Sequence, residues 1–495
     1  MIALLPLDDR PCNLQFPAQI AAIGADEICA PAPELLGHFN APGDCAALQI
    51  WLDQLPEVSA LIVSIDMLAY GGLVASRKTT TDVSTALSRL QTLKNWRAQR
   101  PEVPVYAFNI LMRLAITMDS DAAVPHYYNV MRWARLMDEA ARFPTPEKQS
   151  ELAEVRALLP DDLVEQYRAA RARNHAVNLQ MVDWLADGTF DFLLVTQEDC
   201  TEFGLHRAER NEILARVRER EVEAKFALHP GADEAALTLL ARSWKTEVFF
   251  QIHWSSETGK RNIAVFEDVP YQDALNSHIT AMGGRVAGGN ADVELWVNAP
   301  VTGSQKDEAE ADKRARGAQL EAFVSGLKNA VQSGARVALC DVAFPNGADN
   351  LLMEKLEASE VLGQLAAYGG WNTAGNTTGT VLAQCAALVR GGEAELNRQF
   401  LFERLLDDWF YQANLRAALE HEARQRGFSP LNMNGRGPEI EALAREKMAQ
   451  FARDLARDQF GARVRDLKVA LPWSRTFEVE VGAKLVGISL RPSVG

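Results

Sequence analysis

Carboxylates, amides and guanidinium groups recur in this sequence just where short apolar runs end. Asp8, Asp9, Arg10 and Asn13 follow the run at 2–5, and Asp66, Tyr70 and Ser76-Arg77 follow the run at 60–65. Asn109 and Arg113 end the run at 103–110, Glu198-Asp199 follows 190–196, and Asp341 with Asn346 follows 336–340. In open α/β sheets and in β/α barrels, function collects beyond the carboxyl ends of strands. Five ends dressed this way weigh more than any single motif. Paired carboxylates suit acid–base chemistry across a scissile bond, with one group protonated and the other ionised. Asp199 and Glu198 are the candidate pair, with Asp66 or Asp233 opposite. Arg10, Asn109 and Arg113 are candidates for orienting substrate or holding a carboxylate ionised, and Asp8, Asp9 and Tyr70 for binding substrate. A plainer use exists for each. Asp8 or Asp9 can cap the next helix, Arg10 can serve a structural ion pair, and Asn109 and Arg113 can support the acids.

Two further stretches carry polar chemistry. His229-Pro230-Gly231-Ala232-Asp233-Glu234 looks like a loop entering a helix, with Asp233 near the cap. Residues 368–379 combine glycines, amides, hydroxyls and Trp371 without a charge, then run into an apolar helix. Trp371, Asn372 and Asn376, with Asp341 and Asn346, are candidates for binding a neutral polyhydroxy ligand. A buried loop with a structural role is the plainer reading. The lysine of a nucleotide P-loop is missing. So are a GxSxG elbow, an HExxH zinc motif and a GxGxxG turn after the first strand. Isolated histidines such as His253 make no zinc set, and no metal site is assigned. An oxygen cage of Asp8, Asp66 and Asp199 would suit Mg²⁺, Mn²⁺ or Ca²⁺, although the spacing does not demand one.

The elements that must position these groups follow from the hydrophobic pattern. Apolar runs at 2–5, 60–65, 103–110, 190–196, 248–252, 263–266, 293–297 and 336–340 read as strands buried on both faces. Helix-period stretches at 84–96, 126–143, 149–185, 207–223 and 311–332 lie between them. This alternation predicts an α/β fold, with mostly parallel sheets covered by helices on both faces. Two α/β lobes or a barrel-like closure both fit, with a helical C-terminal region. The expected domains are 1–224, with a helical insertion at about 125–185; 225–391; and 392–495, closed by strand-like residues at 476–481 and 486–490. The chain has 495 residues and 47% hydrophobic composition, enough for two or three cores. A net charge of −15 argues against nucleic acid and anionic membrane as partners. Six scattered cysteines suit reduced thiols. The N-terminus reads as neither signal peptide nor membrane span, so cytoplasm is the expected location, a removed leader in a precursor aside.

The blocks LLPLDDRPCN, SIDMLAYGGLVASR, QEDCTEFG, HPGADEAALTLLAR and AYGGWNTAGNTTGT, in order from residue 4 to 380, resemble one bacterial family, the domain of unknown function 4127. The third block carries Glu198-Asp199 where that pattern would be expected to hold two aspartates. The resemblance implies relatedness and no particular activity, so function rests on the residues. The leading expectation is a carbohydrate-active hydrolase, a glycosidase using paired carboxylates on a small-molecule carbohydrate and needing no cofactor. A hydrolase, isomerase or lyase dependent on a divalent cation is the first alternative. A binding protein for sugar or a small solute is the second.

Overall fold

The computed structural model describes residues 1–302, 305 and 308–487. It is α/β, and its strands fall into two all-parallel sheets and one hairpin. The strands are β1 (Ile2–Leu5), β2 (Ile28–Cys29), β3 (Ala60–Ser64), β4 (Val105–Leu111), β5 (Phe192–Gln197), β6 (Phe226–Pro230), β7 (Phe249–Trp254), β8 (Arg285–Val286), β9 (Val293–Asn298), β10 (Val337–Asp341), β11 (Ala367–Gly369), β12 (Arg463–Ala470) and β13 (Glu480–Val486). Seven of the eight apolar runs became strands. The run at 263–266 did not, and makes only an isolated bridge from Ile263 to Pro270. Residues 488–490 of the expected terminal strand lie outside the described residues.

The chain forms two compact units. The first comprises residues 1–18, 26–243 and 266–268, and the second comprises 19–25, 244–265 and 269–495. The expected border at 224 falls inside the first unit, because β6 pairs with β5 through Leu193↔Phe226 to Gln197↔Pro230 and completes its sheet. The expected third domain is likewise part of the second unit.

In the first unit the strand order is β2-β1-β3-β4-β5-β6. Every residue of β1, β3, β4 and β5 is buried, as expected of strands covered on both faces. Leu5, Val63, Ala107, Leu193 and Trp96 share one core. A separate cluster around Trp133, Tyr167 and Leu114 serves the helical insertion, which consists of Ala123–Arg142, Pro146–Ala157 and Asp161–Ala186. In the second unit the order is β11-β10-β9-β7-β8. Counted from each unit's own start, both sheets run second, first, third, fourth, fifth, and the first adds a sixth. The order therefore reverses between β1 and β3 in one and between β7 and β9 in the other. A crevice outside such a reversal is where open α/β sheets hold ligands. The second core joins Leu339, Phe323 and Leu352 to Leu405, Tyr411, Ala452 and Phe460. It includes an eleven-residue π-helix, Leu405–Leu415.

Candidate functional site

The strand ends of the first unit carry a dense set of buried ionisable groups. Ser64 closes β3 and caps the short helix Ile65–Tyr70 by accepting the Met67 amide at 3.1 Å. That turn puts Asp66 beside β4, where its Oδ2 accepts the Ile110 N–H at 2.9 Å. Burial pushes Asp66 up to about 7, the Ile110 amide opposes this, and the charge of Glu198 raises it further. Gly71 ends the helix at φ +89°, and a Cβ there would come within 2.7 Å of the Gly43 nitrogen. A side chain cannot be accommodated at that turn.

At the end of β1 the guanidinium of Arg10 serves two carboxylates. Its Nε and Nη2 reach Asp8 at 3.0 and 2.7 Å, and its Nη2 and Nη1 reach Asp233 at 2.5 and 3.2 Å. Asn13 Nδ2 donates to both acids, at 2.9 Å to Asp8 and 3.1 Å to Asp233. Two buried carboxylates can share this space only because the cation lies between them. Burial still drives Asp233 upward against the pull of Arg10. Next to Asp233, Glu234 is fully buried and pushed up to about 8, while it accepts the Ala232 amide at 2.9 Å.

The end of β5 carries the second network. Arg77 ion-pairs with Glu198 Oε1, and Arg113 Nη1 stands 3.9 Å from the same oxygen. Arg113 also pairs with Asp199 and donates to Tyr127 Oη at 3.1 Å. Burial raises Asp199, and Arg113 opposes it. Asp199 adopts φ +35°, a conformation that L-residues other than glycine seldom take. Several polar atoms here are buried with no hydrogen-bond partner: Glu198 Oε2, Arg77 Nε, Arg113 Nε and Asn13 Oδ1. Buried polar atoms are normally satisfied, so this group is equipped to receive a polar ligand.

Glu198 is among the charges that act on Asp66, Asp199 and Asp233 alike, so the candidates at 8, 10, 66, 113, 198–199 and 233 are neighbours. Asn109 is turned away from them, donating to Asn178 of the insertion at 2.6 Å. Asp9 meets the exposed His38 at 2.8 Å, and Tyr70 lies under the guanidinium of Arg173 at 4.2 Å. The oxygen cage considered for Asp8, Asp66 and Asp199 is not among the sets of three potential ligands that converge in the described residues.

In the second unit the candidates build their own polar cluster. Asp341, fully buried, accepts from Asn298 Nδ2 at 2.9 Å and from the Asp349 amide at 2.7 Å. Burial and the charge of Asp349 push it up to about 7. Asp349 in turn pairs with Arg316. Asn346 and Asn372 both take positive φ, +62° and +51°, and the Asn346 N–H donates to the Asn372 carbonyl at 2.8 Å. Trp371 is 8% exposed, and its amide donates to Thr377 Oγ1 at 3.0 Å. Thr373 accepts the Asn376 amide at 3.3 Å and so caps the helix Ala374–Val389. The backbone of 370–376 is therefore largely self-satisfied. A cavity of about 230 Å³ opens at the β7–β9 reversal, lined by Ser255, Ser256, Asn298, Glu308 and Arg316 among others.

Sequence alone marks no role for Arg77, Tyr127, Asn298 or Arg316. Arg77 and Asn298 close segments already singled out, so strand-end position was a usable signal for both. Tyr127 and Arg316 arrive from mid-chain helices with nothing local to mark them. A family model described as protein of unknown function (DUF4127) matches residues 2–482, so the chain belongs to that family. Neither the curated proteins nor the solved structures contain a significant match. No helix among the described residues is long and apolar enough to cross a membrane.

Proposed function

We propose that this member of the DUF4127 family is a hydrolase of a neutral polyhydroxylated substrate, in the first instance a glycoside, acting at the strand ends of the first unit. The observation that carries the reading is Glu198. One of its oxygens is ion-paired to Arg77 while the other, Oε2, is buried without a hydrogen-bond partner. Beside it Asp66, lifted to about 7, keeps a proton near neutrality. A protonated carboxyl next to an ion-paired one is what glycoside cleavage requires. Asp66 gives its proton to the leaving oxygen, and Glu198 Oε2 attacks the anomeric carbon or takes a proton from the attacking water. Arg113 fixes Asp199 at the rim, and the unpartnered Asn13 Oδ1 and arginine Nε groups are available to substrate hydroxyls. Asp233, whose two oxygens are both engaged by Arg10, positions that guanidinium.

The test is a panel of nitrophenyl glycosides, with turnover followed from about pH 5 to about pH 9. Glu198→Gln should lower kcat by roughly a hundredfold or more with substrate binding kept. Activity should fall as pH rises through about 7, because Asp66 then loses the proton it must donate. Burial sets this limb first, with the Ile110 amide and Arg173 pulling it down and the charge of Glu198 pushing it up. Near-normal turnover by both Glu198→Gln and Asp66→Asn on a cleaved glycoside, or no cleavage of any glycoside, would overturn the reading.

A further inference from the structure

Directly after Asp199 the chain turns through Cys200 into the helix His206–Glu219, and a short distant segment, Phe266–Asp268, belongs to the same unit. Cys200, His206 and Asp268 are each buried, and one potential ligand atom from each lies within 4.8 Å of the other two. His206 Nε2 stands 3.6 Å from Asp268 Oδ2, beyond hydrogen-bond reach. The His206 ring is 1% exposed, and neither of its nitrogens has a hydrogen-bond partner. A buried imidazole with no hydrogen bond on Nδ1 and only a long approach to a carboxylate on Nε2 is costly, unless something absent from the polypeptide completes it.

We propose that Cys200, His206 and Asp268 form a zinc site. A thiolate, an imidazole and a carboxylate are the donors zinc takes, three from protein and a fourth position for water. The soft sulfur selects zinc over the magnesium or calcium that an all-oxygen set would favour. On binding, Cys200 releases its thiol proton to solvent.

The surroundings already orient the donors. Gln197 Nε2 donates to Asp268 Oδ1 at 2.8 Å, leaving Oδ2 turned to His206. Outer partners of this kind are what fix metal-ligating carboxylates. Arg210 Nη1 lies 3.3 Å from Oδ2. A carboxylate oxygen accepts in two directions, so the arginine and an ion can share it. The Cys200 N–H donates to the Phe266 carbonyl at 3.0 Å, and the thiol lies 3.4 Å from the same oxygen, so the sulfur is tethered to the segment that delivers Asp268. The ion would pin the turn that carries Glu198 and Asp199. The inference stands without the glycosidase reading, because its measurements are metal content and spectra.

The full chain, dialysed after loading with zinc, should retain one ion. Cys200→Ser and His206→Ala should lose it, and Cys29→Ser, altered outside the trio, should keep it. Cobalt loading should give the unaltered chain a thiolate-to-cobalt charge-transfer band that Cys200→Ser lacks. If either of the first two variants does not fold, His206→Gln is measured instead and must bind neither metal. Full zinc content in a folded Cys200→Ser or His206→Gln chain overturns the site. So does an unaltered chain that retains no zinc and shows no cobalt–thiolate band.

Discussion

Asp66 accepts one backbone N–H and has no guanidinium bonded to it, whereas Asp8 is held in the fork of Arg10. Burial, opposed by the Ile110 amide, makes Asp66 a proton reservoir. The unfolded chain releases this proton near 3.8, and the folded chain holds it to about 7. Between those values the native state binds more protons. The stability this group contributes is therefore complete below about 4 and is lost as pH rises through about 7. Asp66→Asn cannot ionise and should gain on the unaltered chain across that window. At about 1.36 kcal/mol per unit, the gain is on the order of 4 kcal/mol by about pH 8. Urea unfolding of both chains at about pH 4 and about pH 8 measures it, and an unchanged gap between them would refute the assignment. The strand-end acids were legible as residue types, but their partners were not. Arg10 is two positions from Asp8, so that pair could be suspected from sequence. Arg77 and Glu198 are far apart in the chain, and only the fold brings them into contact.

Elements were legible where their burial was uniform. β1, β3, β4 and β10 are apolar throughout or nearly so, and their runs stood out. β6 ends in His229-Pro230 and looked like a loop. It is an edge strand, where a proline costs no ladder bond on the open side. β2, β8 and β11 are two or three residues long, below any periodic signal. The stretch at 149–185 was one helix by period and is two in fact, divided at Pro160. The loop at 370–376 enters its helix through a cap at Thr373. Thr373→Ala removes the acceptor for the Asn376 amide and should cost about 1 kcal/mol, with Thr373→Ser restoring most of it. Thermal melts of the two variants decide this. Equal losses in both would mean that the threonine methyl, and not the hydroxyl, matters.

For the molecule as a whole, the surplus of acid is a long-range property distinct from the local networks. At −15 the field repels anions, and salt weakens it with a screening length of about 10 Å at 0.1 M. A neutral glycoside should show kcat/KM almost independent of ionic strength. A carboxylated or phosphorylated analogue should gain several-fold, on the order of what steering supplies, as salt is added. A reversed order would place a local positive field at the site mouth. The repeated winding order was not visible as sequence repetition, because it lies in connectivity and not in residues. The sequential domains expected from the pattern also gave way to two units that each draw on separated parts of the chain.

Phe266–Asp268 is the last piece of the first unit to be synthesised. By the time it leaves the ribosome, all six strands of that unit's sheet have already been made. Synthesis at roughly 5–20 residues per second separates His206 from Asp268 by roughly 3–12 s. During that interval Cys200 and His206 wait in a nascent chain without the carboxylate that would join them. The turn bearing Glu198 and Asp199 is then held by its arginines and by the Glu198 N–H donated to the Leu111 carbonyl. Maturation of the first unit is thus timed by a short segment encoded well downstream of its sheet.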